Sequence, residues 1–424
     1  MKLFIVAVPL FDSDMAVQAY RLCDRSGETA IGLHSADFRR MSESLTSPGL
    51  DLVEKIGVEP FAVDKPLLVD VNALQLLTGF PTRMDIEPGK LICTLPGDTS
   101  PDNAILERCQ ALRDQGYSLA LDGFPAEGIM SRLLHLVDYV ILDYTDKYFD
   151  TWYRLAEKLG HIHVAVSAVP DRATFEELRE NKQALFTGNF YSQPITEGAV
   201  ELTPVKVNAL QLLNQVNTSD FELQDIARII ERDPYLTISL LKFINRGALR
   251  RANKVDSIMS AVAILGQREV RRWATVAISV SLAEDRPGEI TKLSLVRAKF
   301  AENLATAFEL GVFQPSLFMV GLFSLLDVIL QKPMHAAIAE VSVDNRVRQA
   351  LVDRAGDLHP VMELIYAYEK ADWDTVSIML IRNGIPVEML NRAFVDAMVW
   401  YHQLLSSIDE EEDEEDESEG RGAS

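Results

Sequence analysis

Short apolar runs alternate with amphipathic stretches along the first 195 residues of this chain. The runs lie at 3–8, 66–71, 90–95, 118–121, 139–143, 163–169 and 185–190. Most are apolar throughout rather than at alternate positions, which suits strands buried on both faces of a parallel sheet. Helix-like segments fall between several of them, at 101–115, 129–136, 151–159 and 173–181. A strand–helix unit every ~20–30 residues predicts an α/β architecture, either a βα barrel or a doubly wound sheet. The pattern alone does not separate the two.

Near Tyr191-Ser192-Gln193-Pro194-Ile195 the texture changes. From Val205 onward the apolar positions recur at helical spacing, with almost no strand signal. A helix is predicted over 220–230 with Ser219 or Asp220 as its N-cap, and another starts at Pro234 and runs to 246. Further helices are predicted at 257–265, 269–283, 293–310, 317–330, 347–355, 360–370, 372–382 and 386–405. Residues 407–424 are acidic, with serine and glycine, and have too little apolar surface to offset ordering, so they are predicted to be disordered. The expected organisation is an α/β domain over 1–196, an all-α domain over 197–406 and an acidic tail over 407–424. No internal repeat is evident.

Composition adds charge to this outline. Of 424 residues, 48% are apolar and 25% charged, an ordinary globular balance with room for two or three domains. The formal net charge is -22, and it is uneven. Residues 409–419 hold ten acidic side chains and no basic one, so with Arg421 the tail carries -9 and the rest -13. An acidic body is not expected to bind nucleic acid or anionic membrane broadly, although one local basic site stays open. Cys23, Cys93 and Cys109 are far apart, which gives neither a disulfide framework nor a zinc motif. The apolar N-terminal run is interrupted by Pro9, Asp12 and Asp14, and the run at 317–330 contains Asp327; both are too short to span a bilayer. These features lead to the expectation of a cytoplasmic protein.

Several segments of the first half carry a family resemblance in the right order. Residues 4–12 (FIVAVPLFD) with 19–25 (AYRLCDR) resemble the opening of the EAL family, which hydrolyses cyclic di-GMP. Residues 119–124 (LALDGF) look like its Leu-Asp-Asp-Phe strand end. Residues 137–143 (VDYVILD) look like its Ala-Asp-x-Ile-Lys-Ile-Asp segment, and 186–194 (FTGNFYSQP) like its closing segment. The resemblance implies a TIM-like barrel and, in active members, two divalent ions held by strand-end carboxylates. Mapped residue by residue, the family's first glutamate is Arg21. The second strand-end acid falls in residues 92–96, which hold no carboxylate. Asp122 remains, but its neighbour is Gly123. The lysine is Ile141, although Asp143 is retained. The later glutamates fall in 165–169, which has none, and the closing glutamine is Thr187. Hard cations need several oxygen ligands, and a guanidinium stays charged at any working pH. No catalytic residue, metal or cofactor is therefore expected. Asp122 and Asp143 are expected to bond loop backbone or to partner Arg21.

In the second half, residues 231–245 (ERDPYLTISLLKFIN) and 257–266 (SIMSAVAILG) are similar to the HDOD pattern. Arg246 departs from it, since serine usually follows the asparagine. HDOD domains are relatives of HD phosphohydrolases without the metal-binding His-Asp pair. In agreement, none of the seven histidines here precedes an aspartate, and Ser324-Leu325 occupies the place of that pair. Asp327, His335 and His359 are given no role.

One basic cluster stands out: Arg246, Arg250, Arg251 and Lys254, then Arg268, Arg271 and Arg272. The last three share a helix face and could dock an anion, an acidic partner or the tail. The plainer expectation is a solvated face with pairs such as Glu269–Arg272. The combined resemblance implies a non-enzymatic signalling adaptor that meets protein partners in a pathway linked to cyclic di-GMP, motility or stress. It also allows a homodimer. A receptor that binds cyclic di-GMP without turnover is the first alternative and an active phosphodiesterase the second; a nucleic-acid regulator ranks last.

Overall fold

The computed structural model describes residues 3–26, 50, 53–54, 57–62, 64–82, 84, 86–125, 131–182, 184–193, 203–217, 222–231, 234–245, 255, 257–283 and 286–409. Eight strands close into a barrel in chain order: β1 (Leu3–Phe11), β2 (Val17–Ser26), β3 (Leu67–Asp70), β4 (Leu91–Pro96), β5 (Ser118–Asp122), β6 (Tyr139–Asp143), β7 (His163–Val169) and β8 (Leu185–Gly188). Between the two arrangements left open by the pattern, the barrel is the one observed.

Seven strands lie parallel, while β1 runs antiparallel to both β2 and β8. The reversal follows from the β1–β2 hairpin. Its turn is held by Asp12, whose Oδ1 accepts from the Asp14 and Ala16 amides at 2.8 and 3.0 Å. Strand β2 is absent from the predicted runs because polar residues occupy much of Val17–Ser26; only the resemblance pointed to it.

Alternation along each strand separates two apolar sets. Leu10, Ala19, Leu68, Ile92, Ala120, Ile141 and Ala165 fill the barrel interior. The opposite faces pack under helices such as Asn103–Asp114, Phe149–Glu157 and Arg172–Leu178. Two of these begin at aspartate N-caps: Asp102 accepts from the Ile105 amide and Asp171 from the Thr174 amide. The predicted helix at 129–136 is, over its described part, a single 3₁₀ turn at Arg132–His135.

The chain forms two compact units, neither of them contiguous. One holds residues up to 193 together with 363–392, and the other holds 194–362 and the chain from 393 onward. The first break lies three residues from the expected boundary of 196/197, but the stretch 363–392 packs with the barrel. Helical periodicity marks a buried face without saying what it is buried against.

The second unit is helical. Its helices include Pro204–Asn217, Leu223–Ile230, Pro234–Asn245, Ile258–Leu282, Gly288–Leu304, Gln314–Phe323 and Leu326–Leu330. The helices expected at 257–265 and 269–283 lie on either side of Gly266, whose φ of 73° and ψ of 170° divide the stretch Ile258–Leu282 into two helices. The single helix expected at 317–330 breaks at Ser324-Leu325. Ser219 and Asp220 lie outside the described residues, and Glu222 takes the N-cap position of the helix that follows. Among the described residues no helix is long and apolar enough to cross a membrane.

Candidate functional site

The strands of a parallel barrel end at one rim, and inward-facing residues at those ends line its mouth. Arg21 lies two positions from Ala19 on the inward face of β2, and Asp70, Thr94 and Asp122 follow Leu68, Ile92 and Ala120 in the same way. The register pairs Asp70 directly with Thr94. Sequence spacing thus gathers side chains from four consecutive strands.

At the centre is Arg21. Its Nη2 donates to Asp122 Oδ2 at 2.8 Å and reaches both oxygens of Asp70, at 3.2 and 3.3 Å. The Arg21 side chain is only 14% exposed, whereas Asp70 and Asp122 are 57% and 43% exposed at the rim. Burial acts against the Arg21 charge, but Asp70 and then Asp122 outweigh it and hold the guanidinium above its already high ordinary value. Burial raises the Asp70 carboxyl; Arg21 opposes that shift and Asp122 adds to it. Since more than half of the Asp70 side chain meets water, solvent screening mutes the effect.

Asp122 is therefore a partner of Arg21. Asp143 is not part of this cluster: its Oδ1 accepts from the Thr145 amide at 2.8 Å and the Thr145 hydroxyl at 2.7 Å, fixing the loop after β6. Asp70 is the member that sequence reasoning missed. The signal was present, since a lone carboxylate closes the apolar run Leu67–Asp70, but that run lies outside the segments that carry the family resemblance. Two buried polar atoms in the group, Arg21 Nε and Thr94 Oγ1, make no hydrogen bond within the chain. Ile141, in the place of the family's lysine, is buried in the barrel interior. After β5, Phe124 stacks on Trp152 with centroids 5.0 Å apart, and Tyr148 meets Trp152 edge-on at 6.4 Å. Among the described residues no group of three or more His, Cys, Asp or Glu is arranged to hold a metal ion.

In the helical unit, the Ser324 hydroxyl accepts from Arg297 Nη1 at 3.0 Å and donates to the Gly321 carbonyl at 2.7 Å. Ser324, Arg297 and Asp327 are all buried. His335 is exposed, and His359 Nδ1 lies 3.3 Å from the Ala350 carbonyl.

The arginine face divides. Arg268 is 91% exposed and 3.8 Å from Glu269. Arg272 pairs with Glu302 at 3.1 Å, not with Glu269, and lies 5.1 Å from the centre of the Phe318 ring. Glu302 is shared with Lys299 at 2.7 Å. Arg271 is partly buried, and its carbonyl accepts from the Thr275 hydroxyl. The other expected members, Arg246, Arg250, Arg251 and Lys254, lie outside the described residues.

Comparison with known proteins matches the HDOD domain to residues 202–353. An uncharacterized protein of Bacillus subtilis, YuxH, is 27% identical over 419 residues, covering 96% of this chain and all of that protein. The cyclic di-GMP phosphodiesterase CdgJ of Vibrio cholerae is 24% identical over 407 residues, covering 94% of this chain and 92% of that protein. Among solved structures, an EAL domain protein from Listeria monocytogenes is 18% identical, with a TM-score of 0.33, and covers 45% of this chain and 88% of that one.

Proposed function

With an EAL-like barrel at its N-terminus and an HDOD domain behind it, this chain matches the bacterial cyclic di-GMP signalling proteins; from that premise we propose that it is a cytoplasmic, non-catalytic adaptor acting through protein contacts. The observation that carries this reading is the guanidinium between Asp70 and Asp122.

A two-metal phosphodiester site works by holding two divalent ions about 3.5–4 Å apart, one of them activating water. The residues at this rim do not fit such a pair. A fixed positive charge already engages the two converging carboxylates and would repel a divalent ion at the same place. The third retained acid, Asp143, spends its Oδ1 on the turn at Thr145. What remains is a rim whose carboxylates are already tied to a guanidinium, which suits recognition.

Two other readings have specific support. Arg21 is a cation at a barrel mouth and could contact a phosphate, which favours a cyclic di-GMP receptor without turnover. The similarity to CdgJ, a cyclic di-GMP phosphodiesterase by name, favours hydrolysis. One experiment separates the three. The full chain is titrated calorimetrically with cyclic di-GMP in magnesium or manganese, and the mixture is then assayed for linear product. The adaptor gives neither heat nor product. Micromolar binding without product supports the receptor instead, and product formation that is lost in Asp122→Asn contradicts the proposal.

A further inference from the structure

We propose that residues 363–392 form a strap that closes the β1–β8 seam of the barrel, with the Tyr368 hydroxyl as its clasp. Strand β1 is paired to β2 along its whole length, from Leu3↔Ser26 to Phe11↔Val17. Its other edge meets β8 at one register pair, Phe11↔Phe186. Alternate residues of a strand turn their N–H and C=O toward the same edge. Ile5, Ala7 and Pro9 share an edge in this way, and Pro9 has no N–H to offer there.

At Ile5 the seam is closed by a side chain. The Tyr368 hydroxyl donates to the Ile5 carbonyl at 2.5 Å and accepts from the Ile5 amide at 3.2 Å. A single phenol satisfies both groups that a longer β8 would otherwise pair. Unpaired and buried, those two groups would be costly. Tyr368 is fully buried on the helix His359–Glu369, and Trp373 packs edge-on against its ring at 5.5 Å. Trp373 opens the helix Trp373–Asn383, which Asp372 caps by accepting from the Thr375 amide and hydroxyl at 3.2 and 2.7 Å. Val376, Met379 and Leu380 on that helix are buried, while Ile378 and Ile381 are exposed. The strap therefore has an inner face, and 363–392 belong to the same compact unit as the strands. The EAL-like barrel is thus not complete within its first 196 residues; its seam is finished by a segment that follows the HDOD match in the chain. This inference stands whether the barrel is an adaptor, a receptor or an enzyme.

Native-state hydrogen exchange on the full chain tests it, comparing wild type with Tyr368→Phe, which keeps the ring and removes only the hydroxyl. Peptides spanning β1 should exchange about tenfold to a hundredfold faster in the variant, as expected for one lost buried hydroxyl with two hydrogen bonds, while β4–β6 are unchanged. A folded Tyr368→Phe protein with wild-type exchange over β1 overturns the proposal. Should the variant not fold, wild type in low urea decides. Residues 363–392 and β1 should then lose protection together, ahead of β4–β6; loss from the strap while β1 stays protected overturns the idea.

Discussion

The barrel mouth and the Ser324–Asp327 corner of the helical unit both stand where the resemblances place metal-binding groups in catalytic relatives, yet they have been filled in different ways. At the mouth an arginine sits between two carboxylates that remain about half exposed. In the helical unit the corresponding place is packed shut: Ser324, Arg297 and Asp327 are buried, and Gly321 lets two helices approach so closely that an added Cβ would collide with the Arg297 carbonyl oxygen. The first is a site governed by charge at a solvent edge. The second is a region governed by packing, where no small ligand is needed to explain any residue described above.

The contrast can be broken by substitution. The largest effect is expected in the helical unit: Gly321→Val should destabilise it by about 3 kcal/mol, because the new side chain meets rigid backbone at Arg297 and Ala298. Chemical denaturation measures this, and a change within experimental error would show that the two helices part easily.

At the mouth, Arg21→Ala should cost about 1–2 kcal/mol and change the dependence on pH. Burial and Asp122 already raise the folded-state Asp70 carboxyl, and the variant removes the partner that opposes them. A carboxyl raised in the folded state favours folding below its unfolded value near 4, and that contribution is lost as pH rises through the folded value. The deficit of the variant should therefore grow from pH 4 to pH 7. Thermal midpoints across that range test the sign, and a deficit that shrinks would mean the carboxylates do not depend on Arg21.

A third test uses thiols within the barrel unit. Burial pushes Cys93 up to about 12, with Cys109 adding, and pushes Cys109 up to about 11, with Arg108 opposing both shifts. Both should stay protonated at pH 8 and resist alkylation until unfolding, while the partly exposed Cys23 reacts first. By the same linkage the barrel should lose stability as pH rises from about 9 toward 11–12. Mass spectrometry of native alkylated protein checks the order. The smallest effect belongs to the exposed Arg268, where alanine should change stability by no more than about 0.5 kcal/mol.

Much of this fold was legible because parallel strands buried on both faces leave uniform apolar runs, as at 91–95 and 139–142. Strand β2 left no such run, since Gln18, Arg21, Cys23 and Asp24 break it, and only the motif resemblance pointed there. The break at Gly266 was legible, but local periodicity could not show that Ser324 ends a helix. Nor could it reveal that Tyr368 reaches Ile5, a partnership set by tertiary packing across most of the chain. At the mouth, Arg21 and Asp122 were readable from the motifs. Asp70 was not, because it comes from a strand end outside the segments that carry the resemblance.

Titration of the full chain with manganese, followed by electron paramagnetic resonance in the presence of cyclic di-GMP, tests the central claim most directly. An arginine that already occupies the space between Asp70 and Asp122 predicts no tightly held ion at the rim and an unchanged signal in Asp122→Asn. Two bound ions per chain, lost together on that substitution, would contradict the account.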